Sequence, residues 1–382
     1  HRARKMNPDA VVVAAGCYVQ AQERKVDSCI DIVLGNNKKK DLIRILDEYR
    51  KSRAESGREK EILPDVELED IGHTKEYESL NLTRPGDHTR AYIKVQDGCN
   101  QFCTYCIIPY ARGRVRSRSM EDVTEEVRTL AENGYKEVVL TGIHLSSYGI
   151  DFDKERHLLD LIRAVHQIEG IERIRLGSLE PGIITEEFAE AISKLPKMCP
   201  HFHLSLQSGC NATLKRMNRH YTPDEYYDIV LRLRKAFPDC AITTDIMVGF
   251  AGETDEEFKE SCEFAQKVGF AAMHVFTYSI REGTAAARRT DHVAHDIAVK
   301  RYHAMSSLAK KLKEEYFRSC VGKTEKVLIQ RRESEEYANG LTPQYVPVRI
   351  YGSDANRQDI ITVQITGASG SDFCVGEEIK CL

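Results

Sequence analysis

Apolar positions change their spacing along this chain, and each change marks a different kind of element. Residues 10–15 (AVVVAA) form a continuous apolar run ending in Gly16-Cys17, the pattern of a parallel strand buried on both faces. A second short strand is expected from Ile30 to Leu34, ending at Gly35, with a helix from about Lys38 to Tyr49. Residues 51–88 are rich in charge, Gly and Pro, lack periodicity and read as a linker. From Ala91 onward strand and helix signals alternate. Apolar strands are expected near 91–95, 137–141, 173–177, 202–206, 242–247 and 273–278. Helical stretches lie between them, one over 120–132 opened by Ser119 with Asp122 as a capping pair, another over 254–267 with Thr254 as cap. Six β-α units in order imply a parallel sheet, curved into an incomplete barrel or left open, with chemistry at the C-terminal strand ends. After about 320 the pattern shifts to short runs (EKVLIQ, YVPVRIYG, DIITVQITGAS, FCVGEEI) separated by Gly, Asn and Asp turns, enough for a small all-β barrel.

Composition sharpens this only in places. A chain of 382 residues is long enough for two or three domains with a well-buried core. A net charge of −4 does not advertise nucleic-acid binding, but it is an average. Between Arg90 and Met120, six cations (Arg90, Lys94, Arg112, Arg114, Arg116 and Arg118) face one acid, Asp97. A solvated charged loop is the ordinary fate of such a run; an RNA-phosphate role is the alternative. The apolar run Ala10–Val19 is too short to cross a bilayer. The 12 cysteines show no regular framework, which favours a reducing, cytoplasmic setting. The chain opens with His1 and enters almost at once into an apparent buried strand, so it reads as lacking its natural N-terminus.

The strongest chemical signal is Gly98-Cys-Asn-Gln-Phe-Cys-Thr-Tyr-Cys106. Cys99, Cys103 and Cys106, spaced C-x3-C-x2-C, put three thiolates in one tight loop with no fourth nearby. Three sulfurs suit three corners of a cubane iron–sulfur cluster and leave one iron open. A structural zinc site wants four protein ligands. The loop follows the first strand of the alternating region, where a barrel places its chemistry.

The triad resembles the cluster motif of radical S-adenosylmethionine (SAM) enzymes, whose open iron binds the amino and carboxylate groups of SAM. The longer string CNQFCTYCIIPYARGRVRSR resembles the methylthiotransferase branch, most closely the threonylcarbamoyladenosine tRNA methylthiotransferases, and the likeness runs from Pro8 to about Ile379. It implies the C-terminal part of an α/β methylthiotransferase domain over 1–50, a linker over 51–88, an incomplete (β/α)6 radical SAM barrel over 89–318 and a TRAM-like β-barrel over 319–382. It implies two 4Fe-4S clusters in the full-length protein, one of them expected here, with SAM as cofactor. Cys17 corresponds to a ligand of the auxiliary cluster whose other two ligands have no match in this chain; Cys29 fits neither position.

For SAM, the resemblance points to Tyr105 near the adenine, to Gly142 at the strand end that receives the amino group, and to Glu180 as an acceptor for the amino group or ribose. Ser205 and Gln207 alternate with leucines and would face the cofactor. Asp245 sits in an apolar strand, where a buried acid is costly unless paired. Gly249 and Gly252 would turn close to the adenine. Phe276 and Tyr278 are core or adenine-stacking residues, with core the safer reading for Phe276, and His144 is expected to be structural.

The implied reaction cleaves SAM to a 5′-deoxyadenosyl radical, removes hydrogen from C2 of a modified adenosine beside the tRNA anticodon and installs a methylthio group. The β-barrel and Arg112, Arg114, Arg116 and Arg118 would grip loop RNA, and a flavodoxin or ferredoxin would supply electrons. Rival readings are the same chemistry on isopentenyladenosine tRNA or on a ribosomal protein side chain, a non-enzymatic RNA-binding protein with a structural metal site, and an electron carrier.

Overall fold

A computed structural model describes residues 1–21, 27–56, 65–67, 70–74, 76–78, 88–152, 157–333 and 336–380. Most of the linker expected over 51–88 lies outside the described residues. Its beginning is helical, since the helix Leu42–Ser56 runs through it.

The first unit is a small parallel sheet in which β2 (Ile32–Leu34) lies between β1 (Val13–Ala15) and β3 (Asp65–Glu67). The run at 10–15 yields only three residues of strand, and these are not fully buried. β1 is an edge strand; β2, in the centre, carries the full burial. Ile32, Leu34, Ile45 and Tyr49 form the local core.

The central unit carries the alternating region. β4 (Arg90–Asp97), β6 (Glu137–Gly142) and β7 (Arg173–Leu176) pair in parallel, with the antiparallel two-residue β5 (Arg116–Ser117) at the edge. β8 (His201–His203), β9 (Ala241–Val248) and β10 (Ala272–Thr277) form a second parallel set. Parallel bridges Ile174–Met198 and Leu179–Leu204 join the two sets. The result is one curved sheet of six parallel strands in chain order, and among the described residues β10 does not pair back onto β4 or β5. Alternation sets the faces. Ala91, Ile93 and Val95 pack under the outer helices, whereas Tyr92 and Lys94 turn to the other side. Helix starts follow their caps: Ser119 Oγ accepts from Asp122 N, while Thr222 and Thr254 form full capping boxes with Glu225 and Glu257.

The C-terminal strands β11 (Thr324–Arg332), β12 (Tyr337–Leu341), β13 (Pro347–Tyr351), β14 (Ile360–Ser369) and β15 (Phe373–Glu378) close into a five-stranded barrel. Gly340 and Gly376 permit its closure, since a Cβ on either would lie 2.5 Å or less from a valine methyl. The long helix His295–Cys320 leads into it.

This barrel is seated on the N-terminal ends of the sheet strands. Glu137, fully buried, accepts from Arg173 at 3.3 Å and Arg175 at 2.8 Å. The two guanidiniums donate onward to the carbonyls of Leu341 and Pro343, at 3.0 and 2.8 Å. Tyr345 stacks on His201 and takes the Arg90 and Arg175 guanidiniums against its ring. The opposite, C-terminal rim is left for the cysteine loop. Among the described residues no helix is long and apolar enough to cross a membrane.

Candidate active site

Gly98 starts the cysteine loop at φ +72°, and a Cβ there would lie 1.8 Å from the Arg114 carbonyl oxygen, so only glycine fits the turn out of β4. The loop is then pinned from outside. Cys99 N donates to Gly113 O at 3.0 Å, and Thr104 donates to the carbonyls of Met217 and Arg216 at 3.0 and 2.8 Å. Ala286 N donates to Thr104 O at 2.8 Å. Burial pushes the Cys99 thiol up and the Cys106 thiol to about 11. These thiols hold their protons at neutral pH unless a metal displaces them. Three thiols on one pinned loop, half-buried at a strand end, fit three corners of a 4Fe-4S cluster.

Arg219 is the residue that sequence reasoning missed. Its Nη1 donates to Cys103 Sγ at 3.3 Å, and its Nη2 to Glu180 Oε2 at 2.7 Å and Ser205 O at 3.2 Å. Its side chain is only 6% exposed, and its guanidinium lies over the Tyr221 ring. Arg219 follows the helix Asn211–Arg216 in an undistinguished turn; no spacing in the sequence announces a contact with a cysteine 116 positions away. Burial would raise Glu180, but the His144 ring and the Arg219 charge hold it below the usual carboxylate range. His144 Nδ1 is tied to Ser147 Oγ at 2.6 Å and its Nε2 lies 3.8 Å from Glu180, so it borders the site.

Gly142 proves tight for another reason than ligand approach. A Cβ there would sit 2.8 Å from Gln96 Oε1. Gln96 bonds the carbonyls of Asp97 and Gly98, each at 2.7 Å, and accepts from His144 N at 2.7 Å, locking the loop entry to the end of β6.

On the next strands, Ser205 and Gln207 lie opposite Leu204 and Leu206, which are in the core. Ser205 O accepts from Tyr221 Oη at 2.6 Å. Gln207 adopts φ +70° to bridge β9, donating to Asp245 O and accepting from Met247 N, both at 2.9 Å. Its side-chain Oε1 is buried with no hydrogen-bond partner, an acceptor suited to a donor on a bound cofactor. Tyr105 and Tyr278 both meet Phe250 edge-on, at 6.3 and 5.1 Å, in a cluster with Met217 and Met247. This gives the site one apolar wall. Gly249 and Gly252, at φ +69° and +76°, carry the turn there.

Three expectations need correction. Asp245 is not a buried acid: its side chain is 30% exposed and meets His203 Nε2 at 3.1 Å, so the cost of burial does not arise. Phe276 is not core; it is 38% exposed, because it alternates with Met273 and Val275, which pack on the core, and so shares the open face of β10 with His274. Of the four arginines expected to face RNA, Arg116 and Arg118 are buried, Arg116 near Asp97 and Arg118 on Glu126. A guanidinium already desolvated against a carboxylate does not reach a phosphate. Arg114 is exposed above the Phe102 ring. Arg112 turns inward, donating to Cys17 Sγ at 2.9 Å and lying 3.5 Å from Asp97. The structure thus brings Cys17, on the first unit, against the segment that follows the cysteine loop, while Cys29 sits elsewhere, beside Asp27.

Residues 93–265 match the radical SAM superfamily. A threonylcarbamoyladenosine tRNA methylthiotransferase of Bacillus subtilis is 37% identical over 386 residues, covering 99% of this chain and 83% of the relative. Its Aquifex aeolicus namesake is 37% identical over 92% of this chain and 82% of its own. A tRNA-2-methylthio-N6-dimethylallyladenosine synthase of Clostridium botulinum is 33% identical over 98% and 82%. Among solved structures, the radical SAM methyltransferase TsrM of Kitasatospora setae, with cobalamin and a 4Fe-4S cluster bound, superposes at a TM-score of 0.53. It covers 73% of this chain and 57% of its own at 16% identity, a likeness of fold alone.

Proposed function

Because this chain belongs to the radical SAM tRNA methylthiotransferases, we propose that it adds a methylthio group to C2 of N6-threonylcarbamoyladenosine next to the anticodon of tRNA. The observation that carries the reading is the pinned three-thiol loop beside the Arg219–Glu180 pair, in a chain whose named relatives modify tRNA. Relatives named for either modified base align along nearly the whole chain. The choice of threonylcarbamoyladenosine therefore rests on the run from Ile107 to Arg118 and its resemblance to that branch.

When bound, a 4Fe-4S cluster and SAM supply the one-electron cleavage that generates a hydrogen-abstracting radical. The residues of this chain do the rest. Cys99, Cys103 and Cys106 hold the cluster, and the Arg219 cation offsets thiolate charge at Cys103. Glu180, kept ionised, accepts from the amino group or ribose of SAM, and Gln207 Oε1 accepts another of its donors. Tyr105, Phe250 and Tyr278 cover the adenine and exclude water. Cys17 would serve as one ligand of an auxiliary cluster, and Arg112 orients its sulfur. The anticodon loop of tRNA enters from the open side of the sheet, and a flavodoxin or ferredoxin delivers electrons in the cytoplasm.

Mass spectrometry of tRNA nucleosides from a strain lacking the gene tests the substrate: 2-methylthio-threonylcarbamoyladenosine disappears, and an unchanged level overturns the choice. Anaerobic reconstitution with iron, sulfide, SAM and dithionite tests the chemistry. 5′-Deoxyadenosine forms with the parent chain and not with Cys103→Ala.

A further inference from the structure

A cavity of about 330 Å³ opens between the first unit and the inner face of the curved sheet, on the strands that carry the cysteine loop and Gly142. Lys39 enters it from the turn after β2, Lys94 from β4, and Arg112 and Arg118 from the segment after the loop, against Glu78 and Glu126. Glu126 is taken by Arg118, and Glu78 accepts from the backbone of Lys40 at 3.1 Å. The other acid at hand, Asp97, serves three cations with one oxygen: Lys94, Arg112 at 3.5 Å and Arg116 at 3.8 Å. Among the described residues at the cavity, Lys39, Lys94, Arg112, Arg116 and Arg118 face Glu78, Asp97 and Glu126, so cations outnumber acids by two. Burial lowers the Lys94 ammonium, and although Asp97 opposes this, the Arg112 and Lys39 charges lower it further. Such a half-buried, cation-rich cavity calls for an anion from outside.

The cavity's position narrows the choice. Arg112, which lines it, donates to Cys17 Sγ. An anion held there would lie within one side chain of the cysteine on the first unit and on the same strands as the three-thiol loop, a place for a charge on the reacting base rather than on remote backbone. We propose that Lys39, Lys94 and Arg112 receive the carboxylate of the threonyl group on the modified adenosine, and so exclude a base whose N6 substituent is a plain hydrocarbon. This rests on the substrate reading above. A hydrocarbon would leave the cations crowded and unneutralised, which is the negative half of the specificity.

The test is binding to the reconstituted full chain, read by fluorescence anisotropy with anticodon stem-loops. Four loops carry threonylcarbamoyladenosine, its methyl ester, dimethylallyladenosine or unmodified adenosine. The parent chain binds the free-acid loop about tenfold more tightly than the ester and unmodified loops, the size expected of a charge-assisted contact. Lys94→Met and Lys39→Met each reduce that ratio to about threefold or less with other loops unaffected, as for loss of part of a charge-assisted contact. Lys39 lies on the turn, so its variant keeps the test alive if Lys94→Met folds poorly. Equal weakening of all four loops would mean that the cations hold backbone phosphate, and overturns the proposal. So does an unchanged ratio in both variants. If the parent chain prefers the dimethylallyl loop, the substrate reading itself fails, an outcome distinct from either.

Discussion

Arg219 donates to the sulfur of Cys103 at 3.3 Å while its other terminal nitrogen holds Glu180, so one buried cation links the three-thiol loop to the end of β7. Replacing it with Met leaves Glu180 without its cation in a site where that carboxylate is 14% exposed. Breaking such a pair costs about 3–5 kcal/mol. Arg219→Met should lower the thermal midpoint, reduce iron bound per chain and abolish the change in the reduced cluster's EPR spectrum on adding SAM. Arg219→Lys keeps the charge but loses the forked reach, and should restore iron loading more than the SAM response.

Thiol chemistry gives a pH prediction with a definite sign. In the metal-free chain Cys106 is pushed up to about 11 by burial, above its ordinary 9.0. A raised thiol binds its proton more tightly when folded, so this contribution to stability is fully present below about pH 9 and lost as pH rises toward 11. Iron loading, which must release that proton, should weaken steadily as pH falls from 9 to 6. Alkylation of metal-free protein by iodoacetamide at pH 8, mapped by mass spectrometry, should mark Cys106 more slowly in the folded chain than in the urea-unfolded one.

Glu137 holds the seat of the small barrel. Glu137→Ala strands two buried guanidiniums, and a loss of about 3–5 kcal/mol is expected. Calorimetry should then resolve the barrel as a separate, earlier transition. Burial opposes ionisation of Glu137, but Arg175 and Arg173 hold it below the ordinary carboxylate value. Its contribution is therefore present above about pH 4.5 and lost as pH falls through the lower native value.

Gly98→Ala probes the loop turn. The added methyl meets the Arg114 carbonyl at 1.8 Å, and the φ of +72° is itself unfavourable for alanine. A stability loss of about 2–4 kcal/mol should accompany failure to load iron. Gly134→Ala, also at positive φ but with open space around its Cβ, should cost only about 1 kcal/mol and load normally.

The sequence made the central sheet legible because its strands alternate or run apolar between capped helices, and Ser119 and Thr254 cap where expected. The cysteine loop was legible because its ligands are local. Relations between distant segments were not. Nothing local tells that Arg219 reaches Cys103, that Arg116 and Arg118 turn inward, or that Gly142 is bare because Gln96 lies against it. Phe276 and Asp245 were misjudged for a related reason: whether a strand position is covered depends on its neighbours in the sheet, which its own sequence does not state.

The seating of the small barrel under the N-terminal strand ends has a consequence for scale. β4 alone spans eight residues, so roughly 23 Å of sheet, at ~3.3 Å per residue, separates the barrel's seat from the thiol loop. A nucleic acid touching both must run along the flank of the sheet with its reactive base at one end and its stem at the other. The fold is then a gauge. On the tRNA reading proposed above, it would measure how far a base lies from the helix that carries it, and a free nucleoside, or a loop on too short a stem, would engage only one end.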